Sequence, residues 1–516
     1  MNTNFTSEEG YVPPELEEYY VRRAEGGVDM VVLEAATIDA NSRNHPGQPV
    51  LFDRKHVAGW AHLTERLHRY DVRVSVELVH YGSEASIPPR ESPSATSKYT
   101  DDPGEVLSVE RIHAIQEQFA YSAKLAKQCG MDTITLHGCH GYLIAEFLSP
   151  AFNKRTDEYG GNLENRCRFL TETIALCRAE VGPFFPILVR FSADEFLKDG
   201  LDMEQAVEIA KLLEANGVDA IDISAGQPSA YLMTTPPNCL AQGRGLLVPY
   251  SAAIRKAVKV PVFTAIGIRD PEEIESILEN GCADMVVLGR SQLADPDYVR
   301  KVAEGRPEQI RHCMSCEFCL DTLDDDRRIC CAVNPETGRE REFHGIPRAE
   351  TKKKVVVIGG GASGAETADY FSGPSVELSV IGAEKLGGEL KFRSTEIAPK
   401  NDRDISILKM LPEICAEQDV FCKEVMLATL RANGVHMHPG CRVEGIEADG
   451  VRAYDMAAEK EIFLPADTVI LAGGLRSNAE DAFQDAAYPV VRVGDAIRAG
   501  KIHAAIYTAY CAARSL

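Results

Sequence analysis

Between residues 28 and 290 the chain alternates short apolar runs with longer stretches whose apolar positions recur at helical spacing. The runs are VDMVVLEAAT (28–37), VRVSVELVH (72–80), MDTITLHG (131–138), PILVRFSA (186–193), AIDISAG (220–226), PVFTAIG (261–267) and ADMVVLG (283–289). Their length and composition read as strands. Between them, MEQAVEIAKLLEANG (203–217) and PEEIESILENG (271–281) read as helices that stop at glycine. Strand–helix alternation of this kind predicts an α/β chain whose parallel sheet closes as a (β/α)8 TIM barrel, with its chemistry at the C-terminal strand ends. Seven strands are found where a barrel has eight. PPELEEYYVRRAEGG (13–27) reads as a helix, and nothing before it reads as a strand. The first strand is therefore expected to be missing, which leaves unpaired backbone on both of its neighbours.

Composition narrows the class of function. The 516 residues suffice for two or three domains, and a hydrophobic share of 45% is ordinary for a globular chain. Lys+Arg 55 against Asp+Glu 78 gives a net charge of −23, which argues against nucleic acid and anionic membrane as partners. No apolar run approaches the roughly 20 residues that span a bilayer. The opening MNTNFTSEEG has neither a basic nor an apolar region of a signal peptide, so a cytoplasmic location is expected. Fifteen cysteines then call for a use other than structural disulfides.

The stretch HGCHGYLIAEFLSPAFNKRTDEYGGNLENR (137–166) carries the chemistry. His137 and His140 leave the end of a strand, with Tyr142 two residues further on. Two imidazoles and a phenol can converge on one oxygen atom, a set suited to polarising a carbonyl and delivering a proton. The whole block, including its YGGxxENR tail, resembles the signature of the Old Yellow Enzyme family of flavin-dependent ene-reductases. That resemblance implies FMN at the top of the barrel. Met1, followed by Asn2 and Thr3, resembles the Met that ends the family's first strand just before the flavin. Ala35 falls where the family packs backbone on the ring, and Arg190 matches the arginine facing the N1/O2 edge, where reduction places negative charge. Gly267 and the Gly289–Arg290 pair resemble the phosphate site, where glycine admits backbone N–H groups and arginine adds a charge-assisted bond. Three positions depart from the pattern. Glu77 replaces a glutamine that donates and accepts at the flavin's pyrimidine side, Ser83 replaces an arginine, and Ile266 replaces the first glycine of a pair beside the phosphate.

Residues 313–331 read CMSCEFCLDTLDDDRRICC. Cys313, Cys316, Cys319 and a distant Cys331 suit a [4Fe–4S] cluster, while spacing alone leaves a structural zinc site open. Cys330 is the competitor of Cys331, which is favoured by the Asn334–Pro335 behind it. The position after a barrel, and the Cys-x-x-Asn-Pro ending, resemble the 2,4-dienoyl-CoA reductase and bile-acid-inducible oxidoreductase type. Further on, VVVIGGGASGAETADYF (355–371) places Gly359, Gly361 and Gly364 between a strand and a helix, as in a dinucleotide site. Asp495 in Val493-Gly494-Asp495-Ala496 resembles the aspartate that contacts the FAD ribityl-phosphate region in two-dinucleotide flavoproteins. Those proteins carry two such units and this chain shows one.

The resemblance implies three parts: an FMN-binding TIM barrel over 1–310, an iron–sulfur segment over 311–345, and an internally shortened Rossmann-like FAD/NAD(P) domain over 346–516. Electrons would pass from NAD(P)H to FAD, through the cluster, to FMN, and as hydride to the C=C of an α,β-unsaturated carbonyl: an enoate, dienoyl-CoA, steroid or bile-acid enone. With one nucleotide fingerprint, direct turnover of NADH or NADPH is expected to be weak. The rival readings are a truncated, inactive or partner-dependent relative of such a reductase, and an amine-demethylating flavoprotein. A homo-oligomer is left open.

Overall fold

A computed structural model describes residues 2–86, 88–95, 104–226, 245–324 and 327–343. It also describes residues 383–386, 389–392, 406–409, 431, 436–447 and 449–465. All seven apolar runs are strands of one parallel sheet: β1 (Met30–Thr37), β2 (Arg73–Val79), β3 (Thr133–Gly138), β4 (Ile187–Ser192), β5 (Ala220–Ser224), β6 (Val262–Thr264) and β7 (Met285–Val286). Each pairs with its neighbour in sequence, in the order β1 to β7. Among the described residues no strand covers the outer edge of β1 or β7, in agreement with the expected missing strand. The sheet is curled nonetheless. Met30 of β1 and Met285 of β7 pack into one cluster with Leu188, Ala220 and Phe263. The architecture is thus an open, TIM-barrel-like α/β half-barrel.

The helices follow from local sequence. α1 (Pro14–Glu25) has proline in its first turn, acids near its start and Arg22–Arg23 near its end, all matched to the helix dipole. α2 (Val57–His68) follows β1, and α3 (Val109–Gln128) is capped by Ser108, whose hydroxyl accepts from the Arg111 N–H. α4 (Leu143–Leu148) is one short, wholly buried segment after β3. α5 (Leu163–Val181) is capped by Asn162, and α6 (Met203–Ala215) by Asp202. Gly217 (φ +82°) and Gly281 (φ +63°) sit in the left-handed region just past their helices, as the glycine stops required.

The YGGxxENR tail proves to be scaffold. A Cβ on Gly160 would meet the Arg155 carbonyl oxygen at 2.2 Å, so only glycine fits. Tyr159 donates its hydroxyl to Glu172 at 2.7 Å. Arg166 donates to the carbonyls of Leu148 and Gly161 at 2.9 and 2.7 Å, fixing the loop that follows α4 and hence the active end of β3.

The residues form two units, Met1–Ile346 with Val380–Arg393, and Pro347–Ser379 with Ser394–Leu516. The described part of the second includes an antiparallel meander of Cys441–Glu447, Gly450–Asp455 and Lys460–Pro465. The dinucleotide motif with Gly359, Gly361 and Gly364, and Asp495, lie outside the described residues. No helix among the described residues is long and apolar enough to cross a membrane.

Loops after β1 and β2 are pinned to α3 by a buried charge cluster. Arg111 donates to Asp39 at 2.6 Å and to both Glu91 oxygens at 2.6 and 2.9 Å, while His80 stands 3.2 Å from Glu91. Burial pushes the Glu91 carboxyl up, but His80 and Arg111 outweigh it and hold it at about 2. Arg111 is only half-buried, but its loss leaves the buried Asp39 and Glu91 carboxylates short of a partner, so Arg111→Met is expected to cost about 1–3 kcal/mol in denaturant unfolding. Glu91's contribution is complete above its ordinary value of 4.5 and lost as pH falls towards 2. Arg111→Met should therefore flatten the acid limb of the stability profile in that window; an unchanged limb would show that Arg111 does not hold Glu91.

Candidate active site

Strand register sets the site. His137 of β3 lies opposite Arg190 of β4, and Arg190 opposite Asp222 of β5. The three side chains thus form a row across adjacent strands near their C-terminal ends. Glu77 of β2 completes it: Arg190 Nη1 donates to Glu77 Oε1 at 2.9 Å, and His137 Nδ1 lies 3.4 Å from the same oxygen. Arg190 Nε stands 3.3 Å from Asp222 Oδ2. Burial pushes the Glu77 carboxyl up, but His137 and Arg190 reverse this and hold it well below its ordinary range. Asp222 is pushed up to about 6 by burial, against the pull of Arg190. Burial alone would lower His137, but Cys139 and Glu77 raise it to about 10. These neighbours favour the imidazolium form of His137. The departure at Glu77 thus has a physical consequence: a carboxylate there accepts from Arg190 and, after Cys139, raises His137.

His140 differs from His137. Burial, then Arg190 and His137, hold it well below its ordinary value, so it is neutral. Its Nε2 is 2.7 Å from the Ser224 hydroxyl at the end of β5. Its backbone has φ +58°, unusual for a residue with a side chain. The His137 and His140 ring centroids are 5.3 Å apart, and Tyr142 is 5.2 Å from His137 and 6.5 Å from His140. The three residues singled out in the sequence are therefore brought together. Tyr142 also packs edge-on to Tyr81 at 4.5 Å, in a small apolar cluster with Ala35.

Thr3 meets β1 at Glu34, the neighbour of Ala35. Thr3 donates its N–H and hydroxyl to the two oxygens of buried Glu34, at 2.7 and 2.6 Å. Burial pushes the Glu34 carboxyl up to about 7, partly offset by Thr3. Gln48 donates to the Ala35 carbonyl at 3.0 Å and to the Tyr81 hydroxyl. Met1 lies outside the described residues.

The corner after β6 and β7 holds the remaining flavin candidates. Gly267 has φ +75°, and Ile266 beside it has φ +69°. A β-branched residue in this region is strained, which is the structural counterpart of its departure from glycine. Gly289 precedes the short helix Arg290–Ala294. Arg290 Nη1, Thr264 Oγ1 and both amide atoms of Gln292 are buried without a hydrogen-bond partner. Buried polar atoms seek partners, so this corner fits the anionic end of a mononucleotide.

Arg290 also lines a cavity walled by Cys313, Cys316, Cys319 and Cys331. Cys330 does not line it; its thiol points to the Arg328 carbonyl at 3.4 Å. Ser315 and Glu317 have φ +58° and +57° in the loop whose three cysteines line this cavity, and the Ser315 N–H donates to Cys313 Sγ at 3.4 Å. The thiol chemistry and the shared cavity fit a four-thiolate metal group. The segment is tied to the barrel mouth. Ile329 donates its N–H to the Thr3 carbonyl at 3.0 Å, and Arg269 donates to the Cys313 carbonyl and the Ser315 hydroxyl, both at 2.9 Å.

Sequence reasoning missed Asp222, Glu34, Gln48, Cys139 and Ser224. Asp222 had a signal, a single acid inside the apolar run AIDISAG.

Comparison with known proteins adds the family context. Residues 2–309 match the NADH:flavin oxidoreductase / NADH oxidase family, and residues 303–497 the pyridine nucleotide-disulphide oxidoreductase family. The chain is 39% identical over 407 residues to an NADH oxidase of Thermoanaerobacter brockii, covering 76% of this chain and 62% of that protein. It is 33% identical over 383 residues to a cinnamate reductase of Clostridium sporogenes, covering 68% of this chain and 56% of that protein. The matches therefore span less than two thirds of these relatives. A solved 2-naphthoyl-CoA reductase in complex with 2-naphthoyl-CoA superposes with a TM-score of 0.86 at 23% identity, over 100% of this chain and 96% of that one; this shows a common fold.

Strain at Ile266 is testable by stability alone. Ile266→Ala and Ile266→Gly lose the same packing, but only glycine relieves the left-handed backbone. The glycine variant is expected to be more stable than the alanine variant by about 1 kcal/mol in denaturant unfolding, the reverse of their usual order. Equal stabilities would mean that the backbone relaxes at no cost.

Proposed function

The chain belongs to the NADH:flavin oxidoreductase / NADH oxidase family, and from that premise we propose that it is a flavin-dependent ene-reductase acting on an α,β-unsaturated carbonyl. The convergence of His137, His140 and Tyr142 at the mouth of the half-barrel carries this reading. Reduced FMN, held by Thr3, Ala35, Glu77, Arg190, Gly267, Gly289 and Arg290, would supply the hydride to the β-carbon. Similarity to a cinnamate reductase supports an unsaturated acyl substrate.

The protein's own groups divide the remaining work. The charged His137 donates to the carbonyl oxygen, and the neutral His140, anchored through Ser224, holds the oxygen from a second side. Together they stabilise negative charge developing there, in a site walled from water by buried neighbours. The Tyr142 hydroxyl delivers its proton to the α-carbon. Glu77 and Asp222 neutralise Arg190, so the cation facing the cofactor edge is balanced within the protein. Cys313, Cys316, Cys319 and Cys331 would hold a [4Fe–4S] cluster that relays single electrons, and the Thr3–Ile329 bond keeps that segment against the flavin site. FAD and NAD(P)H would engage the second unit, within the pyridine nucleotide family match.

Tyr142→Phe is expected to retain FMN and its reduction by dithionite, yet to slow reoxidation by an enone about 10²–10⁴-fold, the usual contribution of general acid catalysis. An unchanged stopped-flow rate would assign the proton to another group. Anaerobically purified protein should contain about four irons per chain, as a [4Fe–4S] cluster requires. Cys316→Ala should lose the iron and keep most FMN; stoichiometric zinc without iron in the wild type would remove the electron relay from the mechanism.

A further inference from the structure

Cys139 stands between the two histidines and has no part in the chemistry above. It is fully buried, and its Sγ lies 3.5 Å from His140 Nδ1 and faces both nitrogens of His137, at 3.7 Å from Nε2 and 3.9 Å from Nδ1, so a turn of that ring brings Nε2 to a shared cation. Two ligands of one tetrahedral zinc, at about 2.3 Å for sulfur and 2.0–2.1 Å for nitrogen, stand about 3.5 Å apart. All three residues offer donor atoms within 4.8 Å of one another. The opposite ring nitrogens are already committed, His137 Nδ1 towards Glu77 at 3.4 Å and His140 Nε2 to the Ser224 hydroxyl at 2.7 Å. A carboxylate or hydroxyl on the far nitrogen is how metal-ligating imidazoles are oriented. The other compact group of this kind, Asp39, His80 and Glu91, is different: Arg111 already occupies both carboxylates.

We propose that His137, Cys139 and His140 form a site for one thiophilic divalent cation of the zinc class, and that this cation competes with substrate. Cys139 binds as thiolate and His137 as neutral imidazole, each releasing one proton to solvent; no electron moves. Three protein ligands leave a fourth position for water or an anion. The competition rests on the ene-reductase reading. A ring nitrogen whose lone pair ligates a metal has no N–H to give a carbonyl oxygen, so a bound cation disables both donors at once. Zinc is then an inhibitor that acts at the oxyanion position, apart from the cysteine cavity.

The test uses the FMN-loaded, cluster-containing protein, oxidised, with zinc chloride as the probe. Zinc X-ray absorption should show one sulfur and two imidazole nitrogens in the wild type. Phenol binding, read from its charge-transfer band with flavin, should weaken about tenfold when zinc is ten times its dissociation constant, as mass action requires. Cys139→Ala should abolish the effect of zinc on phenol. Glu77→Gln should weaken zinc about 10–100-fold, the usual cost of losing an outer carboxylate partner. A shell of four sulfurs, or phenol affinity unmoved by bound zinc, would overturn the proposal. If phenol fails to bind without zinc, the carbonyl pocket is wrong, and the absorption spectrum still decides the metal site by itself.

Discussion

The rest of the site depends on one constraint: charges buried at the barrel mouth must be paired. Glu77 is buried, and its Oε1 is shared by Arg190 at 2.9 Å and His137 at 3.4 Å. Asp222 flanks Arg190 on the other side at 3.3 Å. Taking such groups out of water costs several kcal/mol per ion unless partners compensate. The pairing ties together four adjacent strands, β2 to β5, orients the guanidinium and shifts both histidines. The two imidazoles are thereby driven apart: His137 is raised by Cys139 and Glu77, while burial, Arg190 and His137 lower His140.

A second dependency links the cysteine segment to the barrel. Its loop is held by Arg269 from the corner after β6, by Thr3 through Ile329, and by Asn334, which donates to the Leu293 carbonyl at 2.9 Å. Arg23 of α1 and Glu340 form a buried ion pair at its far end. The cavity lined by four thiols is thus built on the same residues that border the flavin candidates. Arg290 belongs to both, since it follows Gly289 and lines the cysteine cavity.

Backbone strain gathers in these places. Of the described non-glycine residues with positive φ, His140, Ile266, Ser315 and Glu317 all border the two candidate sites. Such conformations cost about 1–3 kcal/mol each and persist where surroundings over-determine them.

The sequence by itself determined the seven strands, because strands buried on both faces must be apolar throughout and read as continuous runs. It determined the helix stops at Gly217 and Gly281, because the left-handed conformation there needs glycine. It also pointed to His137, His140 and Tyr142, since five or six residues at a strand end cannot stray far apart. Tertiary structure alone decided what surrounds them. Asp222 and Arg190 are 32 residues apart in the chain, and only strand register makes them neighbours. Glu34, Gln48 and Ser224 look like ordinary polar residues until burial forces each to find a partner. Cys139 reads as a small core residue until its thiol is seen between two ring nitrogens. Periodicity encodes which face a residue occupies, but distance between strands is a property of the assembled sheet.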